Sequence, residues 1–272
     1  MIAVGIIGHG AIGSVVAAAL DRGDVSGCRL AGVLGWSRRP DAVTAIDELV
    51  AHSQVVVEAA GAEALATYGP TVVAGGVDLL VLSVGALADD DLRRRLLTEG
   101  RERSDTGGTT PGLPHGGRML LSAGAIGGLG LLRAAALLGP IHHAGLTTTK
   151  PPSALERPWM SPSDRARLRE ATGPLTVFSG PARDAVTRFP ESANVSATLA
   201  LATVGFDATH VELVAQPGAT LVRHRIEVDA AAGHYTFEIE NRPSANLRTS
   251  AITPYAVIRA LGDLSASVVI GA

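Results

Sequence analysis

Through its first half the chain alternates between short apolar runs and longer stretches whose apolar residues recur every three or four positions. Ile2–Ile7 is continuously apolar, as expected of a parallel strand covered on both faces. Ala11–Leu20 reads as a helix and Arg29–Leu34 as a second strand. Pro40–Leu49 predicts a helix, Gln54–Ala59 a third strand, Ala62–Ala74 a helix and Asp78–Leu82 a further apolar strand. Asp89–Arg103 carries dense charge, which suits the solvated face of a helix. Strands and helices alternating at this spacing predict an α/β fold, a Rossmann-type doubly wound parallel sheet.

The pattern breaks between Arg101 and Arg118, where turn formers dominate and no apolar period survives; a surface loop is expected there. Beyond Met119 the character changes. Gly124–Leu138 reads as an Ala/Leu-rich helix, Ser161–Ala171 as a short capped helix and Asn194–Val204 as a helix of small residues. Thr209–Ala215, Thr220–Val228 and His234–Glu240 are strand candidates separated by turn residues, which predicts an antiparallel meander. Ser250–Leu261 reads as a last helix and Ser265–Ile270 as a last short strand. The expected organisation is a dinucleotide-binding domain over 1–122 with 247–272, and a smaller α+β substrate and dimerisation domain over 123–246.

Composition narrows the function classes. Among 272 residues, 23 Lys+Arg stand against 26 Asp+Glu, a formal net charge of -3, which argues against a nucleic-acid partner. An aromatic content of 3% leaves little for base stacking. The longest apolar run, Leu129–Leu138, is interrupted by Arg133 and is far short of the roughly 20 residues that span a bilayer, so no membrane partner is expected. Met1 leads directly into an apolar strand with no basic segment, so no signal peptide is expected. The single cysteine, Cys28, forms no internal disulfide framework. A cytoplasmic protein is the expectation.

Gly8-His9-Gly10-Ala11-Ile12-Gly13 matches the dinucleotide fingerprint directly after a strand and before a helix. In that context Gly8 permits the tight turn, Gly10 lets backbone approach a pyrophosphate, and Gly13 brings helix and strand together. The N–H groups at the helix start, from Ala11 and Ile12 onward, then hold the phosphates. NAD-preferring sites place an acid at the end of the second strand, about 20 residues beyond the glycines. Here the strand ends Gly35-Trp36-Ser37-Arg38-Arg39 with no acid. Ser37, Arg38 and Arg39 could instead hold a 2′-phosphate, because guanidinium groups offer charge-assisted forks. NADP is therefore the expected cofactor, with NAD possible.

Later motifs point to a family. Gly5–Gly13, Val57-Glu58-Ala59-Ala60-Gly61, Ser83-Val84-Gly85-Ala86-Leu87-Ala88-Asp89, Gly124-Ala125-Ile126-Gly127-Gly128-Leu129, Thr149-Lys150-Pro151-Pro152, Phe189-Pro190-Glu191-Ser192-Ala193-Asn194-Val195 and Ile239-Glu240-Asn241-Arg242-Pro243 with Thr249-Ser250 run in order along nearly the whole chain. Together they resemble the L-aspartate dehydrogenase family. The resemblance implies a two-domain homodimer that interconverts L-aspartate and oxaloacetate plus ammonia through iminosuccinate, in a family often linked to NAD biosynthesis. It maps the catalytic histidine onto His224 and small-domain cofactor contacts onto Ala125 and Asn194. Ala60, Gly61 and Ser83, inside the second and third motifs, are further expected cofactor contacts. The sequence departs from the family at His9, often Cys, at Leu247-Arg248, usually Pro-Lys, and in an apparent insertion over Thr106–Gly117.

The implied chemistry suits these residues. An imidazole accepts and returns a proton near neutral pH, as needed to activate water against an imine carbon. His224 is one of 8 histidines, and its elevation rests on the resemblance. Glu58 ends the third strand near the expected cofactor crevice, or caps the following turn. A dicarboxylate needs cationic or N–H donors at both ends, and Lys150, Arg248, Thr249 and Ser250 are the candidates. His142-His143 cannot share a ligand on one strand face, and no third ligand stands at metal spacing, so no metal is expected. Two other readings remain at this point: an imine or keto-acid reductase for another small dicarboxylate, and a non-catalytic NADP(H)-sensing module.

Overall fold

The computed structural model describes residues 1–35, 42–102, 117–190, 194–244 and 249–270. Its contacts divide the chain into two units, one of Met1–Ser122 with Pro254–Ala272, the other of Ala123–Thr253.

The first unit carries β1 (Ile2–Ile7), α1 (Gly13–Asp21), β2 (Cys28–Leu34), β3 (Ala42–Val43), α2 (Ile46–Ala51), β4 (Val55–Glu58), α3 (Ala62–Ala74), β5 (Asp78–Val81), α4 (Asp90–Glu102) and β6 (Met119–Leu121). The strands form one parallel sheet in the order β3-β2-β1-β4-β5-β6. Because side chains alternate along a strand, β1 sends Val4 and Ile6 to one face and Ala3 and Ile7 to the other. Val4 and Ile6 pack with Val16, Ala17 and Leu20 of α1, and with Val257 and Leu261 from the helix Thr253–Asp263. On the opposite face Leu65 of α3, Leu79 of β5 and Leu96 of α4 meet around Gly69. Helices thus cover both faces, which explains the uninterrupted apolar runs.

The second unit contains α5 (Leu129–Leu138), β7 (Ile141–Lys150), α6 (Pro152–Leu155), α7 (Pro162–Arg169), β8 (Leu175–Pro181), α8 (Ala182–Arg188), α9 (Asn194–Ala202), β9 (His210–Ala215), β10 (Val222–Ala230) and β11 (Gly233–Asn241). Its sheet is mixed, in the order β11-β10-β7-β9-β8. The inner face holds Leu146, Ile226 and Val228, packed with Leu132 of α5 and Leu199 of α9. The outer face is charged: Arg223 pairs with Glu240 at 2.6 Å, and Arg225 with Glu227 at 2.9 Å.

Several elements differ from the sequence expectation. The hairpin β10–β11 is antiparallel, but β7 enters between β10 and β9 and runs parallel to β9. Ile141–Lys150 gave no apolar signal, because Gly145 and a run of threonines dilute it. The helix expected from Gly124 begins only at Leu129: Gly124 and Gly128 hold φ of +61° and +81°, outside the helical region, and a Cβ on Gly128 would lie 2.5 Å from the Phe237 ring. The helix expected over 40–49 starts at Ile46, behind the short strand β3. Ser265–Ile270 forms no strand; Val268 and Ile270 are exposed, and their apolarity reflects no burial in this unit. The loop expected over 101–118 lies almost wholly outside the described residues. Among the described residues no helix is long and apolar enough to cross a membrane.

Candidate active site

The strand order reverses direction between β1 and β4, and in such sheets ligands bind outside the carboxyl ends of the strands at that point. Two loops meet there. The loop after β1 carries Gly8 at φ +93°, where a Cβ would lie 2.7 Å from the Ala60 Cβ. A Cβ on Gly13 would lie 2.1 Å from the Gly8 carbonyl oxygen, so α1 can close on the strand only through a glycine. Gly10 differs: a Cβ there would meet nothing within 4 Å. Protein packing gives no reason for that glycine, whereas a phosphate approaching the backbone does. Gly10 and Ala11 are exposed, and no side chain caps the helix at Ile12. The loop therefore fits a dinucleotide pyrophosphate, with Gly8 to Gly13 as its cradle.

Glu58 organises the facing loop. Its carboxylate is fully buried, at 0% exposure, on the last residue of β4. Oε1 accepts from the Ala60 N–H at 2.9 Å, the Gly61 N–H at 2.8 Å and the Ser83 hydroxyl at 3.0 Å. Oε2 accepts from the Ser83 N–H at 3.0 Å. Of the two roles open to Glu58, this geometry makes it the cap of the next turn. Ala60, Gly61 and Ser83, expected as cofactor contacts, are the residues this carboxylate holds in place. Their N–H groups are committed to Glu58, so what they offer a ligand is a methyl or Cα surface and a fixed loop path.

In the second unit, burial selects one histidine. His224 is 2% exposed, on the inner face of β10, while His142, His143, His210 and His234 are exposed. Opposite it on β7 stands Thr148, with Oγ1 3.0 Å from His224 Nδ1. Lys150, two residues along β7, is buried on the same face. Burial foremost, then the Lys150 charge, pushes the His224 pKa down to about 3. The imidazole is thus neutral in the free protein. Arg223 and Arg225 point to the outer face, as strand alternation requires.

Asn241, at the end of β11, donates from Nδ2 to the Ala125 carbonyl at 2.8 Å and so pins the turn ahead of α5. Asn194 opens α9, where its carbonyl accepts from the Thr198 hydroxyl at 3.0 Å. Thr249 and Ser250 belong to a small antiparallel turn: the Ser244 N–H donates to the Thr249 carbonyl at 2.9 Å, and Ser250 bridges Pro243. Ser37, Arg38, Arg39 and Arg248 lie outside the described residues. Thr148 and Asn241 carried no role in the sequence reading. The alternation Ala144, Leu146, Thr148, Lys150 would have placed Thr148 on the inner face had β7 been recognised. Among the described residues no group of three or more His, Cys, Asp or Glu could hold a metal ion.

A phosphate cradle at the switch point of a doubly wound sheet defines the class: this is a nicotinamide-dependent oxidoreductase, with a second unit attached. The family model described as aspartate dehydrogenase, C-terminal, matches residues 131–264, and that of the homoserine dehydrogenase NAD binding domain matches 8–106. An L-aspartate dehydrogenase of Ruegeria pomeroyi is 36% identical, with 97% of this chain and 93% of that protein covered. L-aspartate dehydrogenase 2 of Bordetella pertussis is 37% identical, with 94% of each covered. The solved aspartate dehydrogenase of Thermotoga maritima superposes with a TM-score of 0.74 at 25% identity, over 99% of each chain. The chain belongs to the L-aspartate dehydrogenase family.

Two outcomes follow from this geometry. Gly10→Ala meets no steric obstacle, so unfolding stability should stay within about 0.5 kcal/mol of wild type while affinity for the reduced nicotinamide cofactor falls at least roughly tenfold in a fluorescence titration. Loss of stability together with affinity would make the glycine structural. The second concerns pH. The unfolded His224 imidazole titrates near 6.5 and the folded one near 3, so its stability contribution is complete above 6.5 and is lost progressively as pH falls toward 3. Between about pH 7.5 and about pH 5, wild type should lose about 2 kcal/mol more than His224→Gln in urea unfolding. Equal losses would mean that the buried imidazole titrates normally.

Proposed function

We propose that this protein is an L-aspartate dehydrogenase, interconverting L-aspartate and oxaloacetate plus ammonia through iminosuccinate, with NADP preferred over NAD. The observation that carries this reading is the buried, neutral His224 beside Lys150 on one sheet face, in the unit matched by the aspartate dehydrogenase C-terminal family model. The division of labour is nucleotide binding in the first unit, and substrate binding and dimerisation in the second.

The residues at Gly8–Gly13 hold the pyrophosphate, with Ala60, Gly61 and Ser83 shaping the adjoining wall, and Ala125 and Asn194 are assigned to the cofactor from the second unit. When bound, the nicotinamide supplies or removes the hydride at Cα. His224 handles the proton. In the oxidative direction its neutral imidazole takes a proton from the water that attacks the imine carbon; in the reverse direction the imidazolium returns it to the departing hydroxyl. A dicarboxylate brings two negative charges, which offset the Lys150 charge and raise proton affinity at His224 once substrate is present. Lys150, Arg248, Thr249 and Ser250 are assigned to the substrate carboxylates.

The NADP preference rests on Ser37, Arg38 and Arg39 in place of an acid. It draws support from the Gly8 N–H, which donates to the Leu34 carbonyl at 3.0 Å, so the end of β2 lies beside the phosphate loop. A cytoplasmic homodimer completes the reading. The candidate for its interface is α5, where Leu131, Leu137 and Leu138 are 52%, 90% and 76% exposed.

The test is nicotinamide oxidation followed at the absorbance band of the reduced cofactor, with oxaloacetate and ammonium supplied singly and together. Turnover should require both, run faster with NADPH than NADH, and fall on the order of 10²–10⁴-fold in His224→Ala. Turnover on another dicarboxylate imine alone would reassign the substrate. Cofactor binding without any turnover would make the protein a sensor. For the interface, wild type should sediment at twice its 27.7 kDa chain mass, and the double variant Leu137→Asp, Leu138→Asp as a monomer. A monomeric wild type, or a variant that stays dimeric, rejects the α5 interface.

A further inference from the structure

An imidazole has two nitrogens, and which one exchanges protons is decided by what holds the other. His224 Nδ1 faces the Thr148 hydroxyl at 3.0 Å, across a register pair that fixes both backbones. Thr148 is 0% exposed and His224 2%, so bulk water competes for neither. Within the sheet, the side chains next to the pair are apolar or cationic. On β11 the register partner of His224 is Ile239, its neighbours along β10 on the same face are Val222 and Ile226, and Lys150 is the charged group facing it from β7.

We propose that Thr148 is a positioning residue for the dehydrogenase reaction: its hydroxyl reserves Nδ1 of His224, so that proton exchange with substrate and water takes place at Nε2 alone. The proposal rests on His224 being the proton-transfer group. A hydroxyl suits the task because its oxygen accepts from Nδ1–H of the neutral ring, which leaves Nε2 without a proton and able to act as the base. When Nε2 gains a proton, both ring nitrogens become donors, and Oγ1 accepts from Nδ1–H without either side chain moving. A carboxylate in the same place would also orient the ring, but its charge would hold the proton there and oppose the return step. Thr148 therefore fixes orientation while leaving proton affinity to the bound substrate.

The experiment uses the full-length protein with ¹⁵N-labelled histidine, the His224 signals being assigned by their loss in His224→Gln. In wild type the two ring nitrogens should give well-separated resonances, the signature of one tautomer. Thr148→Val, close to isosteric, should move them toward the average of two exchanging tautomers, and Thr148→Ser should restore the separation. A positioned proton-transfer group contributes on the order of 10²–10⁴-fold, so Thr148→Val should lower kcat by roughly 10–100-fold. KM for oxaloacetate should stay within about 2-fold, and Thr148→Ser should recover most of the loss. If Thr148→Val does not fold, Thr148→Ala takes its place in the same measurements. Separated resonances and unchanged kcat in a folded variant lacking the hydroxyl overturn the proposal. If instead His224→Ala retains activity while the tautomer signature still depends on Thr148, it is the catalytic reading of His224 that fails.

Discussion

The nucleotide half of this protein depends on one buried carboxylate. Glu58 sits where β4 ends, at the reversal of strand order, and two of its acceptor bonds go to the first two N–H groups beyond Ala59. Burying a carboxylate without partners costs several kcal/mol, and four donors offset that cost here. What the bonds achieve is geometric. They curl the loop after β4 so that Ala60 presses against Gly8, and they draw the turn at Ser83 after β5 into the same corner. Gly8 is then a glycine because Glu58 has brought a neighbour too close for a side chain, and Gly13 is one because α1 must start under the Gly8 carbonyl. Gly10 is left as the member of the fingerprint that answers to a ligand rather than to the fold.

In the second unit the equivalent constraint is strand register. β7 and β10 are paired so that Thr148 meets His224, and a slip of one residue in either strand would turn its member of the pair to the charged outer face. The apolar contacts of Leu146, Ile226 and Val228 with Leu132 and Leu199 fix that register. The apolar packing of one stretch of sheet thereby holds the polar chemistry of the next stretch, and the hydrogen bond between Thr148 and His224 need not supply stability of its own.

How legible this was in the sequence follows from where the chain is consistent with itself. The helix Ala62–Ala74 and the strands around it were readable because periodicity and burial agree, strongly enough to carry Gly69 and Pro70 inside the helix. The phosphate loop was readable for the same reason, having the right strand before it and the right helix after it. β7 was not, because its inner face changes from Ala144 and Leu146 to Thr148 and Lys150, polar groups that a pattern reader assigns to solvent. Gly124–Gly128 misled in the other direction: its apolar, small composition resembles helix, yet positive φ at both ends makes it a turn held by Asn241. Glu58 was visible as a residue but not as a hub, since its partners include Ser83, 25 positions away. At β7 the failure falls where polar side chains occupy buried positions, and Thr148, Lys150 and the facing His224 are the residues the proposed reaction uses.

That coincidence has a physical reason. A histidine on a solvated loop would titrate near 6.5, and water would screen it from the charge of a bound substrate. Set in an apolar face beside Lys150, His224 starts far below that value, so its proton affinity becomes sensitive to any negative charge brought close in a medium that screens poorly. A dicarboxylate is such a charge, and reduction or deamination alters the charge of its amino-bearing carbon. In the proposed reaction the buried imidazole is protonated when substrate charge favours it and loses that proton when the product leaves. On the proposed function, the same burial that weakens the protein in acid lets the substrate, rather than the solvent, set the state of the proton-transfer group.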